Sequence, residues 1–193
     1  MASRSTTPLP KLTVFLTLLL TACPSCQKPS ASTDAEIIDE AIQESQKGNH
    51  ERAIEMFSAF LTDHPDNLKT LRARGGAYIA AGDIDRALED LNRAVAIDPN
   101  DGVTRNNRAI VWKLMNRSQE AIEEYEKAIE DFTKAIELTP DDYGPYALRY
   151  NAYVYLGDLE KARIDGRKAH QLNPEWSMPG VNNESSANES SEN

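Results

Sequence analysis

Residues 68–101 read LKTLRARGGAYIAAGDIDRALEDLNRAVAIDPND, and the rest of the chain can be measured against this stretch. With Leu68 as the first position, Gly75 stands eighth, Tyr78 eleventh, Ala87 twentieth, Leu91 twenty-fourth, Ala94 twenty-seventh and Pro99 thirty-second. Pro65, Pro99, Pro140 and Pro174 are spaced by 34, 41 and 34 residues, so the middle interval is one repeat plus seven. Repetition at this period marks stacked supersecondary units that bury their apolar faces on one another.

If one helix turns into a second near the middle of each unit, residues at the same height on the two helices must share one space. Positions eight and twenty-four pair Gly75 with Leu91, Ala109 with Tyr125 and Ala41 with Phe57; in the last unit the order reverses to Tyr150 facing Gly166. Summed volume is roughly kept, as close-packed interiors require. Positions eleven and twenty pair Tyr78, Trp112 and Tyr153 with Ala87, Ala121 and Ala162. Positions seven and twenty-three pair Arg74 with Asp90, Arg108 with Glu124 and Arg149 with Asp165, which as exposed ion pairs would contribute little stability. Glycine suits the left-handed turn closing a first helix at Gly82 and Gly157, with Asp83 and Asp158 capping the second helix; Asn116 and Ser118 take those roles in the third unit.

These positions resemble the tetratricopeptide repeat family over about residues 34–174. The resemblance implies an all-α fold, a right-handed superhelical array of about four helix-turn-helix hairpins, with repeats at 34–67, 68–101, 102–142 and 143–176. Thr33 and Glu36 form a capping-box pattern at the start of the first repeat. That repeat is the least regular, with Glu44 in place of the aromatic and Phe60 in place of the alanine at twenty-seven, as a terminal unit with one neighbour allows.

The third repeat carries an extra heptad. Its second helix reads AIEEYEK, AIEDFTK, AIELTP, which lengthens the helix by about two turns, ~10 Å. Seven residues rotate the apolar stripe by only ~20°, so Ala121, Tyr125, Ala128, Phe132 and Ala135 keep one face. The block is either a passive duplication or the source of an extra ledge for a partner.

The chain has 193 residues, 31 acidic against 21 basic, and a net charge of -10, which disfavours a nucleic acid partner. Residues 1–22 carry Arg4 and Lys11 before the apolar run LTVFLTLLLTA and read as a signal peptide. The junction Leu20, Thr21, Ala22, Cys23 resembles a bacterial lipobox, implying a lipid at Cys23 and a tether over 23–33. A thiol redox pair of Cys23 and Cys26 is the rival reading, set against the absence of any strand nearby. The run NNESSANESSEN lacks apolar anchors, and residues 177–193 are predicted to form a disordered tail; Trp176 and Met178 either cover the exposed end of the last repeat or leave that end to mediate self-association.

His50, His64 and His170 lie far apart, and no nucleophile, metal or phosphate-loop constellation emerges. The expectation is a protein without enzymatic activity, cofactor or metal. Carried over by position, the resemblance places a peptide-binding groove at Lys69, Arg72, Gly76 and Ile79, then Val103, Asn106, Ile110 and Lys113, then Asn151 and Val154, with Tyr143 and Tyr146 as a further partner surface. The carboxylate clamp of some family members wants Lys and Asn where this chain has Ile38 and Ile42. The expected role is a membrane-anchored scaffold or adaptor of the bacterial cell envelope, facing the periplasm or exterior, with the outer membrane favoured in a Gram-negative cell. The alternative is a structural envelope lipoprotein that self-associates through an uncapped C-terminal repeat.

Overall fold

A computed structural model describes residues 33–179; the expected signal peptide, Cys23, Cys26 and most of the predicted tail lie outside the described residues. Eight helices and no strand occur among the described residues: α1 (Asp34–Gln46), α2 (His50–Asp63), α3 (Leu68–Ala81), α4 (Ile84–Ile97), α5 (Gly102–Leu114), α6 (Ser118–Leu138), α7 (Tyr143–Leu156) and α8 (Leu159–Leu172). Each helix packs on the next in chain order, and α3 also touches α5, which touches α7. The result is an all-α array of four hairpins.

Local chemistry sets the ends. Thr33 Oγ1 accepts from the Glu36 amide while Glu36 accepts from the Thr33 amide at 2.8 Å, closing the capping box. Gly82 and Gly157 adopt positive φ of 81° and 79°, and Asn116 takes the same left-handed conformation at 58°. Asp83 and Asp158 accept from the amides of Arg86 and Lys161, and the bonded basic side chains hold both carboxyls below their ordinary range. Ser118 does not cap α6; the N-cap is Arg117, and Ser118 is the first helical residue. Glu44 bonds Lys47 and Asn49 across the first turn, and these bonds hold its carboxyl low. The missing aromatic of the first repeat is thus replaced by a polar clasp.

Volume pairing governs the interior. A Cβ on Gly75 would lie 2.9 Å from Leu91 Cγ, so glycine admits the larger partner. At the adjacent Gly76 a Cβ would meet nothing closer than Asn107 Nδ2 on α5, 3.8 Å away.

The long α6 buries Ala121, Tyr125, Ala128 and Phe132 along one continuous face. Phe132, from the extra heptad, folds back over the start of α5, where a Cβ on Gly102 would meet it at 2.9 Å. Arg105 donates to Asp131 at 3.0 Å beside it. Beyond α8 the chain reverses at Asn173, and residues 173–179 form a strap along the last hairpin. Trp176 meets Tyr150 edge-on at 5.6 Å, the Tyr150 hydroxyl donates to the Pro179 carbonyl at 2.7 Å, and Met178 covers Gly166. The fourth repeat is therefore partly capped rather than uncapped, because reversing the large and small residues leaves Gly166 with a space that Met178 fills.

Candidate binding groove and its ion-pair ladder

The recurrent arginines organise the stack. Arg74 on α3 donates to both oxygens of Asp90 on α4, at 2.7 and 2.8 Å, and its remaining nitrogen donates to Ser58 on α2 at 3.0 Å. Arg108 bonds Glu124 at 2.7 and 3.2 Å and Asn92 at 3.2 Å; Arg149 bonds Asp165 at 2.7 and 2.8 Å and Thr133 at 2.8 Å. Every arginine therefore reaches sixteen residues forward within its hairpin and sixteen back into the preceding one. Ser58 and Thr133 donate in turn to the Ile54 and Ile129 carbonyls at 2.6 Å, so each hydroxyl is satisfied on both sides.

The expectation of exposed pairs is corrected here. Asp90, Glu124 and Asp165 are buried, each gripped by an arginine that is itself anchored on the preceding hairpin, and only the arginine edges remain wet. The hydrogen bonds to Asp90 and Asp165 hold the Arg74 and Arg149 guanidinium groups above their ordinary pKa, overcoming desolvation. Such planar bidentate pairs set orientation as well as energy.

The expected groove residues sit on the first helices of successive hairpins: Lys69, Arg72 and Ile79 on α3, Asn106, Ile110 and Lys113 on α5, Asn151 and Val154 on α7. Adjacent packing of those three helices makes one wall. Its charges are largely engaged. Lys69 pairs with Asp39 at 2.8 Å, Arg72 donates to both oxygens of Asp101 at 2.9 Å, and Lys113 lies 5.0 Å over the Tyr155 ring. Ile79 and Ile110 are half-buried in the inter-hairpin cores, whereas Asn151 and Val154 are exposed. Asn106 is buried, and its Oδ1 has no hydrogen-bond partner among the described residues. Tyr143 is exposed and Tyr146 half-buried at the start of α7.

Positional carry-over missed Asp101, which neutralises Arg72 while capping α5 through the Thr104 amide. Its signal in the sequence is an acid immediately before a helix. It also missed Tyr155, whose ring supports Lys113 and lies 4.4 Å from the buried Tyr125. Burial pushes the Tyr125 phenol up to about 12. A cleft of about 330 Å³ opens where the extra heptad meets the starts of α5 and α7, with Val103, Phe132, Ala135, Pro145 and Leu148 among its walls. Among the described residues no acidic, histidine or cysteine cluster could hold a metal, and no helix is long and apolar enough to cross a membrane.

The family profile described as Tetratricopeptide repeat matches residues 38–102, and a second profile of the same description matches residues 117–142. The chain is a tetratricopeptide repeat protein. Among solved structures, this repeat protein is similar to TTC0263, a thermophilic TPR protein of Thermus thermophilus, at 18% identity and a TM-score of 0.58, over 74% of this chain and 75% of that one. It is also similar to the type III secretion translocator chaperone SycD of Yersinia enterocolitica, at 18% identity and a TM-score of 0.55, over 70% of this chain and 96% of that one. At these identities the likeness is one of fold. A tetratricopeptide fold is a protein-interaction scaffold, and that role is what the array supplies.

Proposed function

We propose that this tetratricopeptide protein is a lipid-anchored adaptor of the bacterial cell envelope. In this reading it holds an extended segment of a partner protein along the wall formed by α3, α5 and α7, and has no catalytic chemistry of its own. The observation that carries the reading is the state of the wall's charges. With Lys69 and Arg72 paired inside the protein, amide groups and half-buried aliphatic side chains remain to meet a partner. Asn107 and Asn151 suit the backbone of an extended peptide, and Ile79, Ile110 and Val154 suit its apolar side chains, whereas the expected groove residue Asn106 is sealed beneath the wall. Compensation by Asp39 and Asp101 argues against a partner chosen mainly for acidic side chains.

Anchoring rests on the sequence around Cys23. Mass spectrometry of the mature N-terminus is expected to find a lipidated Cys23; a chain that retains residues 1–22 with a free thiol removes the anchor. For the groove, a photocrosslinking residue at Lys113 or Asn151 is expected to trap one partner in intact cells, while the same residue at exposed Glu89 or Glu123 on the second helices traps none. Equal yields from both sets would overturn the groove.

A further inference from the structure

The ladder has two unfinished ends. In the second, third and fourth hairpins the arginine at position seven reaches the residue sixteen before it on the preceding hairpin: Ser58, Asn92 and Thr133. In the first hairpin position seven is Glu40, an exposed acid. In the last hairpin position twenty-five, where Ser58 and Asn92 stand in theirs, is Arg167, an exposed base. Neither makes a hydrogen bond or ion pair among the described residues. The rung that no repeat completes within one chain is thus a carboxylate at one end and a guanidinium at the other.

The surrounding charges follow the same division. Helix α1 carries Asp34, Glu36, Asp39, Glu40 and Glu44 and no base; Asp39 and Glu44 are paired with Lys69 and Lys47, and Glu36 closes the capping box. Helix α8 carries Lys161, Arg163, Arg167 and Lys168 against Glu160 and Asp165; Asp165 is held by Arg149, Lys161 pairs with Asp158 and Arg163 with Glu160, so Arg167 and Lys168 are the bases without an ion pair among the described residues. On α8, Leu159 is 64% exposed. Leu159 holds the position at which Ile84 of the second hairpin packs into the joint with the next one. Within the array every second helix packs on the first helix of the following hairpin.

We propose that a second copy of this chain is the partner of that end: α1 of one copy docks on α8 of another, head to tail, with Glu40 meeting Arg167 in place of the internal arginine rung. The strap sits in the lower part of the same seat, with Met178 over Gly166 and Pro179 on Tyr150, so it competes with the incoming α1. Such a contact is heterologous, so it builds chains or rings by successive addition rather than stopping at a two-fold dimer. Built on charge at a solvated face, it is sensitive to salt.

The test is sedimentation of the purified full-length chain, lacking only residues 1–22, over a wide concentration range at low and high salt. Association that weakens with salt is expected, tightened in the full chain by Trp176→Ser with Met178→Ser, which loosen the strap. Arg167→Glu is expected to weaken the joint by roughly fivefold or more, and Glu40→Arg in the same chain to restore it. Circular dichroism of each variant separates loss of association from loss of folding. A strict monomer both with and without the strap substitutions overturns the proposal, and so does association that ignores Arg167→Glu or is not rescued by Glu40→Arg.

Discussion

Arg149 on α7 reaches Thr133 on α6 at 2.8 Å, sixteen residues back, although the heptad inserted before it shifts the repeat phase by seven. The same reach joins Arg74 to Ser58 and Arg108 to Asn92. Because α6 keeps its stripe through the extra turns, its first part serves the third hairpin through Glu124 and its later part serves the fourth through Thr133. The insertion is absorbed along the helix axis, and each neighbour still finds its own register.

The ladder's energetic weight can be separated from that of surface pairs. Arg149→Ala leaves Asp165 buried without its partner and is expected to cost about 3 kcal/mol. Lys69→Ala removes an exposed pair with Asp39 and should stay within about 0.5 kcal/mol. Urea unfolding of both variants checks this; a loss below about 1 kcal/mol for Arg149→Ala would falsify the clamp.

Adjacent glycines should respond with opposite signs. At Gly75 a methyl group meets the Leu91 branch carbon at 2.9 Å, so Gly75→Ala is expected to destabilise by about 1–3 kcal/mol. At Gly76 the nearest atom is 3.8 Å away, and Gly76→Ala should stabilise α3 by about 0.5–1 kcal/mol through backbone entropy. Thermal denaturation of the two variants decides it, and a shift of the same sign in both would sink the argument.

Gly102 and the extra heptad should be coupled. With Phe132 overhead, Gly102→Ala forces a clash and is expected to cost about 1–3 kcal/mol. In a chain lacking residues 128–134 that aromatic is gone, and the same substitution should be neutral or favourable. A double-mutant cycle measures the difference, and additivity within about 0.5 kcal/mol would refute the contact.

Alkaline unfolding should carry the mark of Tyr125. Its phenol is raised from 10.0 to about 12 by burial, so the folded state favours the neutral form. That stabilisation is fully present below about pH 10 and is lost as pH rises through 12. Tyr125→Phe removes the titration, and its stability should decline less than that of the parent between pH 9 and pH 11.5. Parallel curves would show that another group governs the alkaline limb.

Asn106 separates structure from recognition. Its buried Oδ1 lacks a partner among the described residues, so Asn106→Leu is expected to leave stability unchanged or raise it by about 1 kcal/mol. Because the side chain is sealed beneath the wall, the same change should leave crosslinking from Lys113 and Asn151 unchanged. A variant that folds normally but no longer captures the partner would show that Asn106 reaches the groove.

Much of this was legible in residues 68–101. Helix boundaries, the left-handed turns and the small-against-large pairs are local or separated by one hairpin, and a repeat spells them out several times over. Less legible were the Arg72 to Asp101 pair, the burial of Asp90, Glu124 and Asp165, and the strap on Tyr150. Each involves a neighbouring unit or a stretch that occurs once, so no recurrence in the sequence announces it.

By itself the sequence determined the hairpin, its period and its register, because a quasi-one-dimensional array repeats the same short-range packing problem in each unit. Only the tertiary structure decided that the ladder's carboxylates are sealed, that Phe132 closes over Gly102, and that Glu40 and Arg167 are left at opposite ends. The reason is physical: burial and charge compensation are set by how neighbouring units lie against one another, and that depends on the offset between units rather than on the residues of any one of them.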